Sequence, residues 1–182
     1  LDHLFLMRPM LMPPLWTISI LGYGQGQRQD VSPDWTTLLY PIAVFTLLTG
    51  GVYVQNQVFD LEGDRANNKL FLLGDGYISL RAAGLQTWGC YLGAVILAFF
   101  HSTWFGALMC GALLLGSQYN APPLRMKDRP VEGLLYNVVI YGGFAFVTGW
   151  MVLADFSLDL LLKTIPYCLG VGAIYLTTTL PD

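Results

Sequence analysis

Three side chains with oxygen atoms that can bind a divalent cation recur at four-residue spacing where an apolar run ends. Asn56, Asp60 and Asp64 stand at the close of an uncharged segment that begins at Trp35 and ends at Phe59. On a helix this spacing puts all three on one face, about one turn apart. Mg²⁺ prefers such carboxylate and amide oxygens, together with phosphate oxygens and water. Two acids alone would suit a solvated helix end, but an asparagine one turn deeper favours a Mg²⁺ site.

Positive charges flank this ladder in the segments that precede and follow the apolar runs. They are Arg8, Arg65, Lys69, Arg125, Lys127 and Arg129. One interpretation is that these residues only set the orientation of a membrane protein. The other is that acids and cations alternate around one site, which suits a diphosphate bound with Mg²⁺. The second interpretation predicts that the acids and the cations of the two loops lie around one cytoplasmic mouth.

Apolar helices must position these residues. Of the 182 residues, 54% are hydrophobic and only 12% are charged, whereas a soluble domain has about 25% charged residues. A helix that crosses a membrane needs about 20 apolar residues. Six runs fit this rule, at residues 9–27, 35–59, 82–100, 104–119, 133–154 and 164–180. The sequence therefore predicts an all-α, polytopic transmembrane helix bundle that forms a single membrane domain over residues 1–182.

The distribution of Lys and Arg predicts the orientation of the bundle. If the six helices alternate in direction, seven of the nine Lys and Arg residues fall on one side. The positive-inside rule then places the N-terminus and the loops after the second and fourth helices in the cytoplasm. The protein is expected in the plasma membrane. The net charge of −3 gives no basic surface for a nucleic acid, so no nucleic-acid partner is expected.

At this point the motifs resemble those of the UbiA superfamily of intramembrane prenyltransferases. The run from Asn56 to Lys69 resembles the first acidic signature of that family, and residues 119–127 resemble its Tyr-Ser-x-Pro-Pro-x-Arg-x-Lys run after the fourth helix. Leu180-Pro-Asp182 resembles the opening of a second acidic motif. Gln57 replaces an aspartate that is common in the first motif, as in the bacterial branch that resembles homogentisate prenyltransferases.

The resemblance implies an enzyme that transfers a prenyl group from a polyprenyl diphosphate to an acceptor, often an aromatic one, with Mg²⁺ assisting ionisation of the diphosphate. It also implies roles for individual residues. The metal ligands would be Asn56, Asp60, Asp64 and Asp182; the diphosphate-binding residues Arg8, Arg65, Lys69, Arg125 and Lys127; and the catalytic residues Asp60, Asp64 and Lys127.

The resemblance further implies a fragment. Members of the family have nine helices, so the chain is expected to be an N-terminal piece that holds six of nine. Because the second acid of the second motif would follow Asp182, the piece alone is not expected to carry the whole site.

Two functions of other classes also remain open on the sequence. An ion-coupled membrane transporter would use intramembrane acids to bind its coupling ion, with acids near the bilayer midplane, broken helices and an inverted repeat. The sequence has no evident repeat of that kind, and its acids lie at one face. A non-catalytic membrane scaffold would tolerate every substitution at Asn56, Asp60 and Asp64.

Overall fold

Long apolar helices packed side by side make up the fold. The computed structural model describes residues 1–27, 34–67 and 71–179, and no strand occurs among them. The α-helices are α1 (Asp2–Leu6), α2 (Pro13–Gly26), α3 (Trp35–Phe59), α4 (Leu61–Ala66), α5 (Phe71–Gly74), α6 (Leu80–His101), α7 (Thr103–Asn120), α8 (Pro130–Asn137), α9 (Ala145–Trp150) and α10 (Leu158–Thr179). Short 3₁₀ turns lie at Pro9–Leu11 and Met126–Asp128, and a π-helical segment at Val138–Phe144 joins α8 to α9.

Six long helical segments follow one another in the order predicted from the sequence. They are α2, α3, α6, α7, the continuous run from α8 to α9, and α10. Four of them are long and apolar enough to cross a membrane, namely Trp35–Phe59, Leu80–His101, Pro130–Trp150 and Leu158–Thr179. The helix α2 has only 14 residues, and α7 ends in the polar run Ser117-Gln-Tyr-Asn120. The prediction of an all-α integral membrane bundle is confirmed.

Polar residues set both ends of the central helix α3. The Asp34 carboxylate caps its first turn, accepting hydrogen bonds from the Thr36 backbone N–H at 3.0 Å and from the hydroxyls of Thr36 and Thr37. The Thr37 and Thr36 hydrogen bonds lower the pKa of Asp34. At the other end Asp60 leaves the helical conformation (φ −98°, ψ 2°), and the short α4 begins at the next residue. Asp60 therefore lies at the bend between α3 and α4.

The main core lies between α3, α6 and α7, where large side chains such as Phe45, Tyr91 and Phe105 are fully buried. Beside this core, α2 and α9 approach closely through glycines. A Cβ atom on Gly22 would lie 2.0 Å from the Phe146 carbonyl oxygen, and one on Gly149 only 1.9 Å from the Ser19 carbonyl oxygen. Small residues allow such close approach of helices in membranes.

The outer faces of the long helices are apolar. Trp88, Ile96, Phe100, Trp104 and Leu169 are each more than half exposed. Such a surface would favour aggregation of a soluble protein, whereas it is the surface that a lipid bilayer solvates. The exposed side chains thus agree with the membrane location that length and composition indicate.

Candidate functional site

An acid at the end of α3 is joined to two cations from the loop after α7. The Oδ1 atom of Asp60 contacts the Nζ atom of Lys127, and it lies 3.6 Å from Nη2 of Arg125. The Lys127 side chain is only 11% exposed and that of Asp60 is 31% exposed, so the contact is partly shielded from water. We call Asp60, Arg125 and Lys127 the charged mouth. The structure thus brings together the two loops in which the sequence placed the chemistry.

The loop after α7 is folded so that Arg125 and Lys127 face the end of α3. The chain turns extended at Ala121, and Arg125 adopts a left-handed conformation (φ 39°, ψ 57°) before the 3₁₀ turn that carries Lys127. The Arg125 guanidinium is also fixed by its own loop, since its Nε donates to the Asp128 carboxylate at 2.8 Å. Asp128 and Asp60 therefore hold the two sides of this guanidinium.

Left-handed backbone conformation marks two of the predicted diphosphate-binding arginines. Among the described residues, only Arg8 (φ 53°) and Arg125 (φ 39°) have positive φ without being glycine. Such conformations cost about 1–3 kcal/mol each, and they persist where the surroundings fix them. They concentrate at functional sites, which agrees with the role predicted for both residues.

The N-terminal segment that carries Arg8 is held to the same end of the bundle by two glutamines. The buried Gln57 amide donates to the carbonyl of Leu6 at 2.7 Å and to that of Tyr53 at 2.9 Å. Gln86 on α6 donates to the carbonyl of His3 at 2.7 Å. Arg8, two residues after Leu6, is half-buried. Gln57 thus faces α1 rather than the ladder.

A network of amides links the ladder to α7. The Nδ2 atom of Asn56 donates to Oδ2 of Asp60 at 2.8 Å and to Oδ1 of Asn120 at 3.1 Å. The Nδ2 atom of Asn120 in turn donates to the Val52 carbonyl at 3.0 Å. Asn120 is fully buried, and our sequence analysis assigned it no role. Its position at the polar end of α7 is only a weak signal, because polar residues at helix ends are ordinarily solvated.

The other predicted site residues are Asp64, Arg65, Lys69 and Asp182. Asp64 on α4 is half-buried, and its carboxylate makes no hydrogen bond or ion pair with the described part of the chain. Arg65 is exposed, and its Nε donates to the Gly74 carbonyl at 3.0 Å, beside α5. Lys69 and Asp182 lie outside the described residues. Within residues 1–27, 34–67 and 71–179, no three His, Cys, Asp or Glu side chains form a metal-binding group, so the proposed ligand set rests on two carboxylates and the Asn56 amide.

An apolar cavity of about 260 Å³ lies between α2, α3, α8 and α10. Its wall includes Tyr53 on α3, which is one turn before Asn56, and Tyr141 and Asn137 from the fifth long segment. The Tyr53 and Tyr141 ring centroids lie 6.5 Å apart. Asn137, for which the sequence left a pocket role and a helix–helix hydrogen bond open, lines this cavity while its amide donates to the Gly133 carbonyl of its own helix. A larger cavity of about 720 Å³, lined by Trp104, lies at the other end of α7.

The architecture and the charged mouth define a class, a helical membrane bundle with an acid–cation cluster at one end. A family model described as the UbiA prenyltransferase family matches residues 15–182. The chain belongs to the UbiA prenyltransferase family, and the resemblance drawn from its motifs is confirmed.

The chain is similar both to named proteins and to solved structures. The chain is 33% identical over 93 residues to 2-acylphloroglucinol 4-prenyltransferase of Humulus lupulus, which is 50% of this chain and 23% of that protein. It is 28% identical over 115 residues to homogentisate phytyltransferase of Synechocystis sp., covering 62% of this chain and 36% of that protein. A UbiA homolog from Archaeoglobus fulgidus bound to GPP and Mg²⁺ has a TM-score of 0.83 at 23% identity, with 98% of this chain and 62% of that chain covered. The chain thus spans less than two thirds of the length of each of these relatives.

Proposed function

We propose that the protein transfers a prenyl group from a prenyl diphosphate to an aromatic acceptor within the membrane. The observation that carries this proposal is the charged mouth, in which Asp60 is joined to Lys127 and Arg125 at the end of an apolar bundle. An amphiphile with an anionic head and a hydrocarbon tail needs cations beside an apolar cavity. The named activities of the Humulus and Synechocystis relatives and the ligands of the Archaeoglobus homolog support the same reaction class.

The proposed reaction breaks the bond between the first prenyl carbon and a diphosphate oxygen. The electron pair of that bond leaves with the oxygen, and the allylic cation that remains is attacked by a ring carbon of the acceptor, which then loses its proton. Negative charge grows on the diphosphate as the bond breaks. Positioned donors that face this charge stabilise the transition state more than the bound substrate. Lys127, Arg125 and Arg8 are the donors that we assign to this role, together with Lys69 and Arg65.

The ladder residues suit Mg²⁺ in their chemistry. Asn56, Asp60 and Asp64 offer hard oxygen atoms, and the carboxylate of Asp64 and the Oδ1 atom of Asn56 have no hydrogen-bond partner in the described part of the chain. We propose that these three residues and Asp182 hold Mg²⁺, which when bound neutralises charge on the diphosphate. On substrate binding Lys127 would then turn from the Asp60 carboxylate to a diphosphate oxygen.

The cavity beside Tyr53 is proposed to hold the first part of the prenyl chain. Its apolar walls keep water from the allylic cation, which water would otherwise capture. The faces of Tyr53 and Tyr141 carry negative quadrupole density and can stabilise a cation nearby. The α2 side of the cavity supplies Leu15 and Ile18, which suit a hydrocarbon chain.

The orientation and the membrane remain as the sequence predicts them. The excess of Lys and Arg lies at the end of the bundle that carries the charged mouth, so we propose that this end faces the cytoplasm. We propose the plasma membrane as the location, a choice that the charge distribution does not test. Placing the mouth in the cytoplasm gives it access to a soluble diphosphate head group.

A turnover assay tests the proposed function. The full-length gene product in nanodiscs would be incubated with geranyl diphosphate and homogentisate, with and without Mg²⁺, and both free diphosphate and the prenylated ring would be measured. Asp60→Asn and Asp64→Asn are expected to lose most of the activity. Asp159→Asn is the matched control, because Asp159 lies at the other end of the bundle, paired with Lys163 at 2.7 Å.

The turnover assay and a flux assay in liposomes together separate the alternatives. Full activity in both ladder variants would refute the proposed site. Flux of an organic anion into liposomes without any product would favour the transporter. Absence of both product and flux, in the wild type and in the ladder variants alike, would favour the scaffold.

A further inference from the structure

We propose that Asn120 is a positioning residue that fixes the orientation of the Asn56 side chain, so that the Asn56 carbonyl oxygen remains available to a divalent cation. The inference rests on the proposed function, because it concerns the same cation site. It adds a residue from α7 that touches neither the cation nor the substrate and acts through Asn56.

The backbone carbonyl of Val52 fixes the orientation of the Asn120 side-chain amide. A carbonyl oxygen only accepts hydrogen bonds, so the group of Asn120 that faces it at 3.0 Å must be the amide nitrogen. Asn120 is fully buried, so no bulk water offers an alternative partner. Reversing its amide would bring two oxygen atoms together inside the bundle, which costs about 1–3 kcal/mol for the unsatisfied buried groups.

The fixed amide of Asn120 then determines that of Asn56. Its Oδ1 atom, which also only accepts, faces Asn56 at 3.1 Å. The Oδ2 atom of Asp60 faces the same nitrogen of Asn56 at 2.8 Å. Two acceptors thus hold one Asn56 nitrogen, and the Asn56 Oδ1 atom makes no hydrogen bond within the described part of the chain. A reversed Asn56 would place its oxygen against both acceptors.

The consequence concerns metal affinity. Without Asn120, one of the two acceptors that orient Asn56 is lost, and the remaining one, Asp60, is itself a proposed ligand. When the Asp60 carboxylate turns to a cation, nothing on α7 would keep the Asn56 nitrogen turned away from it. Loss of residues that orient metal ligands typically reduces affinity 10–100-fold. We therefore expect Asn120→Leu to weaken cation binding about tenfold.

Binding of Mn²⁺ alone, measured by electron paramagnetic resonance on the full-length gene product in nanodiscs, tests this inference without any turnover. Leucine is close in size to asparagine, so Asn120→Leu is the first variant. If melting shows that this variant is unfolded, Asn120→Ser is used in its place. The matched control is Gln55→Leu, because Gln55 also joins α3 to α7, through Ser117 at 3.3 Å, but has no hydrogen bond with Asn56. We expect the control to bind Mn²⁺ like the wild type.

A double-mutant cycle separates positioning from a general structural role. If Asn120 acts through Asn56, adding Asn120→Leu to Asn56→Ala changes the Mn²⁺ affinity by less than about twofold. Equal losses in both backgrounds, or an unchanged affinity in the single Asn120 variant, would overturn the inference while leaving the proposed function intact. Absence of Mn²⁺ binding by the wild type would overturn the proposed cation site and this inference with it.

Discussion

Replacing Lys127 by methionine separates a functional cation from a charge that only sets topology. Lys127 and Arg129 lie two residues apart in one loop and count equally in the positive-inside rule. In the structure, however, the Lys127 side chain is 11% exposed and contacts Asp60, whereas that of Arg129 is 51% exposed and pairs with Glu132 at 3.5 Å. Lys127→Met and Arg129→Met therefore remove the same charge from two different environments.

The size of the difference follows from these environments. A hydrogen bond to a charged group contributes about 1.5–3 kcal/mol, and each 1.36 kcal/mol is a factor of ten in rate. Lys127→Met should therefore lower kcat/KM about 10- to 150-fold, with most of the loss in kcat if the contact strengthens as charge grows on the diphosphate. An exposed ion pair contributes only about 0.2–1 kcal/mol. Because Arg129 does not face the charged mouth, Arg129→Met should change kcat/KM less than about threefold.

The assay is release of diphosphate from geranyl diphosphate in the presence of acceptor at saturating Mg²⁺, in nanodiscs. Melting curves of both variants check that the fold is intact, since Lys127→Met leaves Asp60 with one cationic partner, Arg125 at 3.6 Å. Equal effects of the two substitutions would refute the reasoning, because the topology interpretation predicts that both charges are equivalent.

Three further predictions concern the framework around the mouth. Gly149→Ala should destabilise the bundle by about 1–3 kcal/mol, because the new Cβ would lie 1.9 Å from a backbone oxygen of α2. The control is Gly89→Ala, whose new Cβ would meet nothing within 4 Å and which should be neutral or stabilising in melting experiments. Gln57→Leu removes the hydrogen bond that holds α1 to α3, which is expected to contribute about 0.5–1.5 kcal/mol. Amide hydrogen exchange in α1 should therefore become about two- to tenfold faster, and unchanged exchange would contradict this anchoring role. Asp34→Ala should lower the melting temperature at pH 7. The difference from wild type should shrink as the pH falls through the lowered pKa of Asp34, because only the ionised Asp34 carboxylate gives the stabilisation that its lowered pKa reflects. A constant difference down to pH 3 would argue against this.

The helices were predictable because charge and apolarity mark them in the sequence. The second predicted run begins and ends at the same residues as α3, since Asp34 caps it and Asp60 breaks it. The predicted break at residues 101–103 is also present, where α6 ends at His101 and the Ser102 side chain accepts from the Phe105 N–H to begin α7. At the last helix the prediction began too late, at residue 164. The helix α10 starts at Leu158, because Asp159 and Lys163 pair along its first turns.

The partners of the site residues were less predictable. The contact between Asp60 and Lys127 joins residues 67 positions apart, so it depends on how α3 and α7 pack, which local patterns do not specify. The role of Gln57 had a local signal, since a residue next to Asn56 points about 100° away from the ladder on a helix. The burial of Asn120 had little signal, because a polar residue at a helix end is ordinarily solvated. The motifs thus indicated which residues belong together, and packing determined their contacts.

The central claim is that the charged mouth binds the diphosphate of a prenyl substrate with Mg²⁺ while the cavity beside Tyr53 takes the hydrocarbon. Its most direct test is the affinity for geranyl S-thiolodiphosphate, an analogue that ionises slowly, measured by calorimetry in nanodiscs with and without Mg²⁺. The account predicts binding that depends on Mg²⁺ and weakens at least tenfold in Asp60→Asn but not in Asp159→Asn. Binding that is equally tight without Mg²⁺, or that is unaffected by Asp60→Asn, would contradict it.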